Sequence, residues 1–303
     1  MPRFEHFRQR WADKFHMGSA KPLAARVAVL MPFYGRPDDL HKSLRSLTKE
    51  KTLHDVIVVD DGNADRVTIP RGLHDRVIVL RHETNAGITE ARNTGLRYAL
   101  EAGYEYVANL DAGDRLLNGA LAKQLAFLDG ASDCALVGGH ALFVDERGKT
   151  LYRFAPPCDS AGILRMLHRR MCFLHSTVML RAEVVRSVGF YREEYPAAED
   201  YDFFFRIAER FPTANLPEIL LEYEVSPHSI SSLRRRTQVV SKLRIIVAHF
   251  EPGLLESWRG VAEAAVGATL PRSVNTLFHT LHARLTGSAT QAVPRPVDNS
   301  ERS

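Results

Sequence analysis

Cysteine is scarce in this chain: three residues in 303, Cys134, Cys158 and Cys172, an odd and widely spaced set. That spacing offers no CxxC metal pair and no disulfide framework, so the thiols are expected to be reduced and the protein cytoplasmic. Long apolar runs are missing too. No stretch approaches the roughly 18 residues that a membrane-spanning helix requires. The opening MPRFEHFRQRWADKF has no apolar h-region and is not expected to act as a secretory leader. The glycine-rich fingerprint of dinucleotide-binding folds is absent, because the first strand candidate runs into MPFYGRP with one glycine, and no Walker A sequence occurs. These gaps count against a nicotinamide oxidoreductase and a P-loop nucleotidase. No internal repeat is visible, which excludes a solenoid.

What is present is an ordinary globular mixture, 45% hydrophobic and 25% charged, enough to bury a sizeable core. The net charge of +4 conceals an asymmetry: residues 1–22 carry +3, residues 233–303 carry +5, and residues 23–232 carry −4. A basic core would suit nucleic acid; basic ends on an acidic core do not, and no nucleic-acid partner is expected. They fit an anionic membrane surface or an acidic partner better. Phe4, Phe7, Trp11 and Phe15 share one helical stripe flanked by Arg3, Arg8, Arg10 and Lys14. This pattern predicts either an interfacial helix or a helix docked on its own domain.

Along the chain, the apolar runs at 26–33, 55–59, 76–81 and 104–110 predict strands. Helices are predicted between them: one opened by Pro37 with Asp38 and Asp39 in its first turn, one over about 88–101 with Gly103 beyond its end, and one over about 118–129. Residues 134–144 predict a further strand, with a hairpin turn at Asp145–Lys149. Strand–helix alternation implies βαβ units and a mostly parallel α/β sheet, with ligands beyond the carboxyl ends of the strands. Three polar clusters fall at such ends: Pro32–Tyr34, Asp60–Asn63 and Asp111–Asp114. Carboxylates beside a phosphorylated ligand call for a divalent cation, Mg²⁺ or Mn²⁺. The expected organisation is a basic amphipathic helix at 1–22, a catalytic domain at 23–232, a helical extension at 233–286 broken at Pro252 and Pro271, and a disordered Pro/Ser-rich tail at 287–303.

Five blocks in order resemble glycosyltransferase family 2: VAVLMPFYGRPDDLHKSLRSL, VIVVDDGNAD, NAGITEARNTGL, NLDAGDRLL and AAEDYDFFFRIAER, with YEVSPHSIS similar to the family's closing stretch. The resemblance covers about residues 26–237. It implies a GT-A-type, Rossmann-like fold, three layers around a mixed sheet, with the helical C-terminal extension appended. It also implies inverting transfer of a sugar from a UDP- or dTDP-linked donor to a hydroxyl of a glycan or lipid-linked acceptor, at the inner face of the plasma membrane if the basic ends bind there.

By the same resemblance, Pro32, Tyr34 and either Asp60 or Asp61 meet the nucleotide base, a carboxylate accepting the imide N–H. Asn85, Gly87, Arg92 and Asn93 lie at a loop-to-helix junction suited to diphosphate. Asp111 and Asp114 hold the divalent cation, although Gly113 stands where the family's DxD block carries a second carboxylate, and His228 lies near the diphosphate or metal. Asp200 is the general base, supported by Glu199, Asp202 and Arg206, since a single displacement needs one carboxylate opposite the leaving group. His175 falls in a block that lines the acceptor side. The missing carboxylate keeps an alternative open: a nucleotide-sugar-binding protein with impaired catalysis.

Overall fold

The computed structural model describes residues 10, 11, 15, 25–70, 73–145, 147–225 and 235–269. Phe4, Phe7, His228 and the tail at 287–303 lie outside the described residues. In chain order the elements are β1 (Val27–Phe33), α1 (Pro37–Leu47), β2 (His54–Asp60), β3 (Val77–Arg81), α2 (Ile88–Ala102), β4 (Tyr106–Asn109), β5 (Arg115–Leu116), α3 (Ala120–Gly130), β6 (Leu136–Val144) and β7 (Thr150–Phe154). They continue with α4 (Ser160–Leu167), β8 (Met179–Arg181), α5 (Val184–Val188), α6 (Glu199–Ala208), β9 (Thr213–Glu224), α7 (Arg235–Ala248) and α8 (Leu255–Thr269).

Among the described residues, nine strands form one mixed sheet in the order β3-β2-β1-β4-β8-β6-β9-β5, with β7 paired to β6. β1, β2, β3 and β4 are parallel, as the βαβ pattern predicts. The short antiparallel β8 then separates β4 from β6, and β9 runs parallel to β6. Because β8 opposes both neighbours, β6 and β9 point the same way as β1, and the carboxyl ends of all the long strands reach one edge.

The two faces of the sheet are sorted by the alternation of strand side chains. Val27, Val29, Met31 and Phe33 pack with Leu40, Leu44 and Leu47 of α1 and Leu121 and Leu128 of α3. Ala28 and Leu30 face the other way, with α2, α4, α5 and α6. Every residue of β1 and β2 is buried, which explains why these strands read as unbroken apolar runs. A Cβ on Gly95 would stand 1.9 Å from Leu30 Cδ1, so this glycine lets α2 lie directly on β1. Ile245 and Ile246 of α7 and Ala264 of α8 join the α2–α6 core cluster.

Candidate active site

The site is built where β1, β2 and β4 end. Asp61 N donates to Phe33 O at 2.9 Å, and Asn63 links the two loops by donating to Phe33 O and accepting from Gly35 N. Tyr34, next in the chain, is 64% exposed, and Pro32 is buried within β1. Asp60 is fully buried: it accepts from Asn63 N and Nδ2 and pairs with Arg81 at 2.9 Å. Its carboxylate is thus engaged by the Asn63 loop and by Arg81. Asp61 is itself 3% exposed and faces the loop before α2. Burial alone would raise its pKa, but hydrogen bonds from His82 Nδ1, Ala86 N and Gly87 N outweigh that and hold it below the usual carboxylate range. Among the described residues Oδ2 accepts one hydrogen bond, from Gly87 N, and a carboxylate oxygen has capacity for a second. Asn85 lies exposed beside this bond network.

Arg92 sits in the second turn of α2 and is 6% exposed. Among the described residues it pairs with two acids that lie far from it in the chain. Nη1 donates to Glu199 Oε1 at 2.5 Å, and Nη2 reaches both oxygens of Asp111 at 3.1 and 3.2 Å. Glu90 pairs instead with Arg97. Arg92 thus joins the β4 end to the start of α6, two places 88 residues apart in the chain (Asp111 and Glu199). The Asn93 amide donates to Tyr191 O and accepts from Tyr191 N, both at 2.9 Å, so it fastens a loop, with one N–H and one lone pair beyond those two bonds.

The two acids after β4 are set apart by their surroundings. Asp111 is about one-third exposed, with His175 Nδ1 at 3.2 Å and Arg92 beside it; burial would raise its pKa, but these two neighbours hold it far below the usual range. Asp114 is 7% exposed, and burial together with the Asp111 charge pushes it up to about 8. Ser176, which the sequence does not single out, bridges them: its Oγ accepts from Asp111 N at 3.0 Å and donates to Asp114 Oδ2. Ser43 of α1 supports the same turn through Asp114 O and Gly113 N. Gly113 has φ +106°, a conformation that a residue with a Cβ rarely adopts, so the turn itself calls for glycine where a second carboxylate was expected.

Among the described residues, no three carboxylates, imidazoles or thiols gather closely enough to enclose an ion. Two adjacent carboxylates, one of them strained towards protonation by the other, still match the open, partly substrate-supplied coordination that Mg²⁺ and Mn²⁺ accept.

Asp200 lies in the first turn of α6, where the helix dipole favours a carboxylate. It is half-buried, accepts from Tyr201 N at 2.8 Å, and makes no ion pair among the described residues. Its neighbour Glu199 is occupied by Arg92. Asp202 is fully buried and accepts from Arg206 Nε at 2.8 Å, while the remaining guanidinium nitrogens of Arg206 hold Val188 O and Phe190 O. Asp202 and Arg206 are thus beneath the site, tying α6 to the loop that Asn93 holds from the other side. Immediately before α6, Ala197 has φ +62°, a left-handed conformation costly for alanine.

Two residues of the N-terminal stripe, Trp11 and Phe15, are among the described residues. Trp11 and Phe15 are 6% and 8% exposed, stacked on each other and packed on Tyr98 and His82. Trp11 Nε1 donates to Glu101 at 2.8 Å. These two aromatics face the domain and not a membrane. No helix among the described residues is long and apolar enough to cross a bilayer.

Comparison with known proteins agrees with this architecture. EpsE of Bacillus subtilis, a protein named as a glycosyltransferase, is 27% identical over 84% of this chain and 93% of its own length. An uncharacterized glycosyltransferase of Haemophilus influenzae is 25% identical over 76% and 87%. S. aureus TarS 1-349, solved with UDP-GlcNAc, superposes with a TM-score of 0.58 at 20% identity, over 79% of this chain and 71% of that one; its UDP complex is spanned over 65% of its length. The mannosyltransferase PcManGT of Pyrobaculum calidifontis, solved with GDP-Man and Mn²⁺, superposes with a TM-score of 0.55 at 16% identity, over 94% and 88%. At these identities the structural likeness speaks for a shared GT-A-type fold. The family model for glycosyl transferase family 2 matches residues 28–189, more than half of the chain, and the protein belongs to that family.

Proposed function

We propose that this glycosyltransferase inverts the anomeric centre in a single displacement, with Asp200 as general base. The observation that carries the reading is the division of labour among the acids. Glu199 and Asp111 share Arg92, Asp202 pairs with Arg206, and Asp60 with Arg81, whereas Asp200 makes no ion pair among the described residues and stands at the helix start. Such a group can take the proton from an acceptor hydroxyl as that oxygen attacks the anomeric carbon and the nucleoside diphosphate leaves from the opposite face. Asp61, whose Oδ2 can accept a second hydrogen bond and whose backbone N–H is bonded to Phe33 O next to the exposed Tyr34, suits a base carrying an imide N–H, hence a UDP- or dTDP-sugar. Solved proteins of the same fold hold UDP, UDP-GlcNAc or GDP-Man, which supports a nucleotide-sugar donor as a class.

Asp111 and Asp114 would hold a divalent cation, Mn²⁺ or Mg²⁺, which supplies charge neutralisation for the leaving diphosphate. For the acceptor we favour a glycan or lipid-linked glycan of surface polysaccharide or glycolipid synthesis at the cytoplasmic face of the plasma membrane. Charge on residues 1–22 and 233–303 would then provide the membrane contact, since Trp11 and Phe15 are committed to the domain. The φ of Gly113 gives the glycine a backbone reason, and sugar transfer from a nucleotide donor is what separates a working enzyme from an impaired binder.

A nucleotide panel tests the donor and cation together. UDP or dTDP with Mn²⁺ should raise the melting temperature, and Asp114→Ala should abolish that rise while leaving any stabilisation in EDTA intact. Equal loss under both conditions would mean that Asp114 supports the loop and not the ion.

A further inference from the structure

Helix α7 lies beyond the residues matched by the family model, yet it grips the segment that delivers Asp200. Ser241 Oγ donates to Pro196 O at 2.9 Å, and one turn later Arg244 Nη1 donates to Glu194 O at 2.9 Å. The Arg244 guanidinium also stands 5.4 Å from the centroid of the Tyr195 ring, which is itself buried. Three consecutive residues, 194–196, are therefore held from a single helix face. The next residue is Ala197, with its left-handed φ of +62°, and Asp200 follows three positions later. A strained backbone persists only where its surroundings over-determine it. The other end of the same segment is fixed by the two Asn93 bonds to Tyr191.

We propose that α7 is a positioning element for the base: Ser241 and Arg244 hold the 194–197 turn, and that turn sets where the Asp200 carboxylate points. The inference rests on the reading of Asp200 as the general base. α7 has independent moorings, namely the fully buried Ile245 and Ile246 and, just past its end, the bond from His249 Nδ1 to Glu209. The neighbouring α8 has its own through Ser257, whose hydroxyl lies 2.9 Å from His168 Nδ1. Removing one hydroxyl or one exposed guanidinium should thus loosen the turn without detaching the helices. Ser241 and Arg244 act through the turn, so they are positioning residues, not catalytic ones.

The test uses the full chain with Ser241→Ala, Arg244→Ala and Arg244→Lys. It reads kcat, donor KM and the hydrogen exchange of backbone amides 192–198. A small displacement of a catalytic group costs roughly tenfold to a hundredfold in rate. Both alanine variants should therefore lower kcat by about that factor, with donor KM within about twofold of wild type, and should speed exchange in 192–198. Arg244→Lys, which keeps a cation near Glu194 O and the Tyr195 ring, should recover most of the rate and of the protection. An unchanged kcat in both alanine variants, or a fall in kcat with exchange unaltered, would overturn the proposal. If the wild type transfers no sugar from any nucleotide donor, the transferase reading fails and the proposal with it; the exchange data separate that failure from failure of the clamp alone.

Discussion

Neutralising His249 should destabilise the protein in a pH-dependent way. The imidazole of His249, 10% exposed, stacks on Phe205 at 4.2 Å, donates from Nδ1 to Glu209 Oε1 at 2.8 Å, and has Nε2 3.8 Å from the fully buried Asp202. Burial alone would lower its pKa, but the two carboxylates outweigh burial and lift it from 6.5 to about 9. A rise of that size corresponds to about 3.4 kcal/mol. Glu209 is 39% exposed and Asp202 is beyond hydrogen-bond reach, so water screens part of the attraction and about 2 kcal/mol is expected.

The folded protein binds this proton more tightly than the unfolded chain. The contribution is therefore complete below about pH 6.5 and disappears as the pH climbs through about 9. His249→Phe keeps a ring on Phe205 and removes the charge. Urea unfolding of variant and wild type at pH 6 and pH 10 gives the double difference, in which every other titrating group cancels. The gap should be about 2 kcal/mol at pH 6, or a melting shift of roughly 4–8 °C, and should shrink to a few tenths at pH 10. An equal gap at both pH values would refute the assignment of a charged His249.

Two further outcomes follow from contacts that span the chain. Asn93→Ala strands the N–H and C=O of buried Tyr191, which should cost about 2–4 kcal/mol and appear as a fall in melting temperature even without ligand. Trp11→Ala removes a ring packed on Tyr98 and the bond to Glu101; it should cost about 3 kcal/mol while leaving co-sedimentation with anionic vesicles unchanged, whereas lost vesicle binding at constant stability would return Trp11 to the membrane.

Much of the first half of the fold was legible because its signals are local. β1 is an apolar run, Pro37 opens α1, and Gly103 ends α2 with φ +86°, each readable within a few residues. The three-residue β8 is too short to show a period, so the antiparallel insertion between β4 and β6 could not be read. The polar clusters at the strand ends were legible as a candidate site because parallel strands deliver their carboxyl ends to one edge. The partners within that site were not. Arg92 meets Glu199 across 107 residues and Asn93 meets Tyr191 across 98, and nothing in either local sequence names the partner. Ser176 carries no motif, and its bridge between Asp111 and Asp114 exists only once β8 lies beside β4. Gly113 could be seen as a missing carboxylate, but its reason, a φ of +106°, belongs to the folded turn.

The assignment of Asp200 as the base is tested most directly by Asp200→Asn in a single-turnover assay with a donor that the wild type uses. The amide preserves shape but cannot take the acceptor proton. The account predicts a fall in the chemical rate of at least about 10²-fold with donor affinity nearly unchanged. A variant that keeps more than about half of the wild-type rate, or that loses rate only in proportion to donor binding, would contradict it.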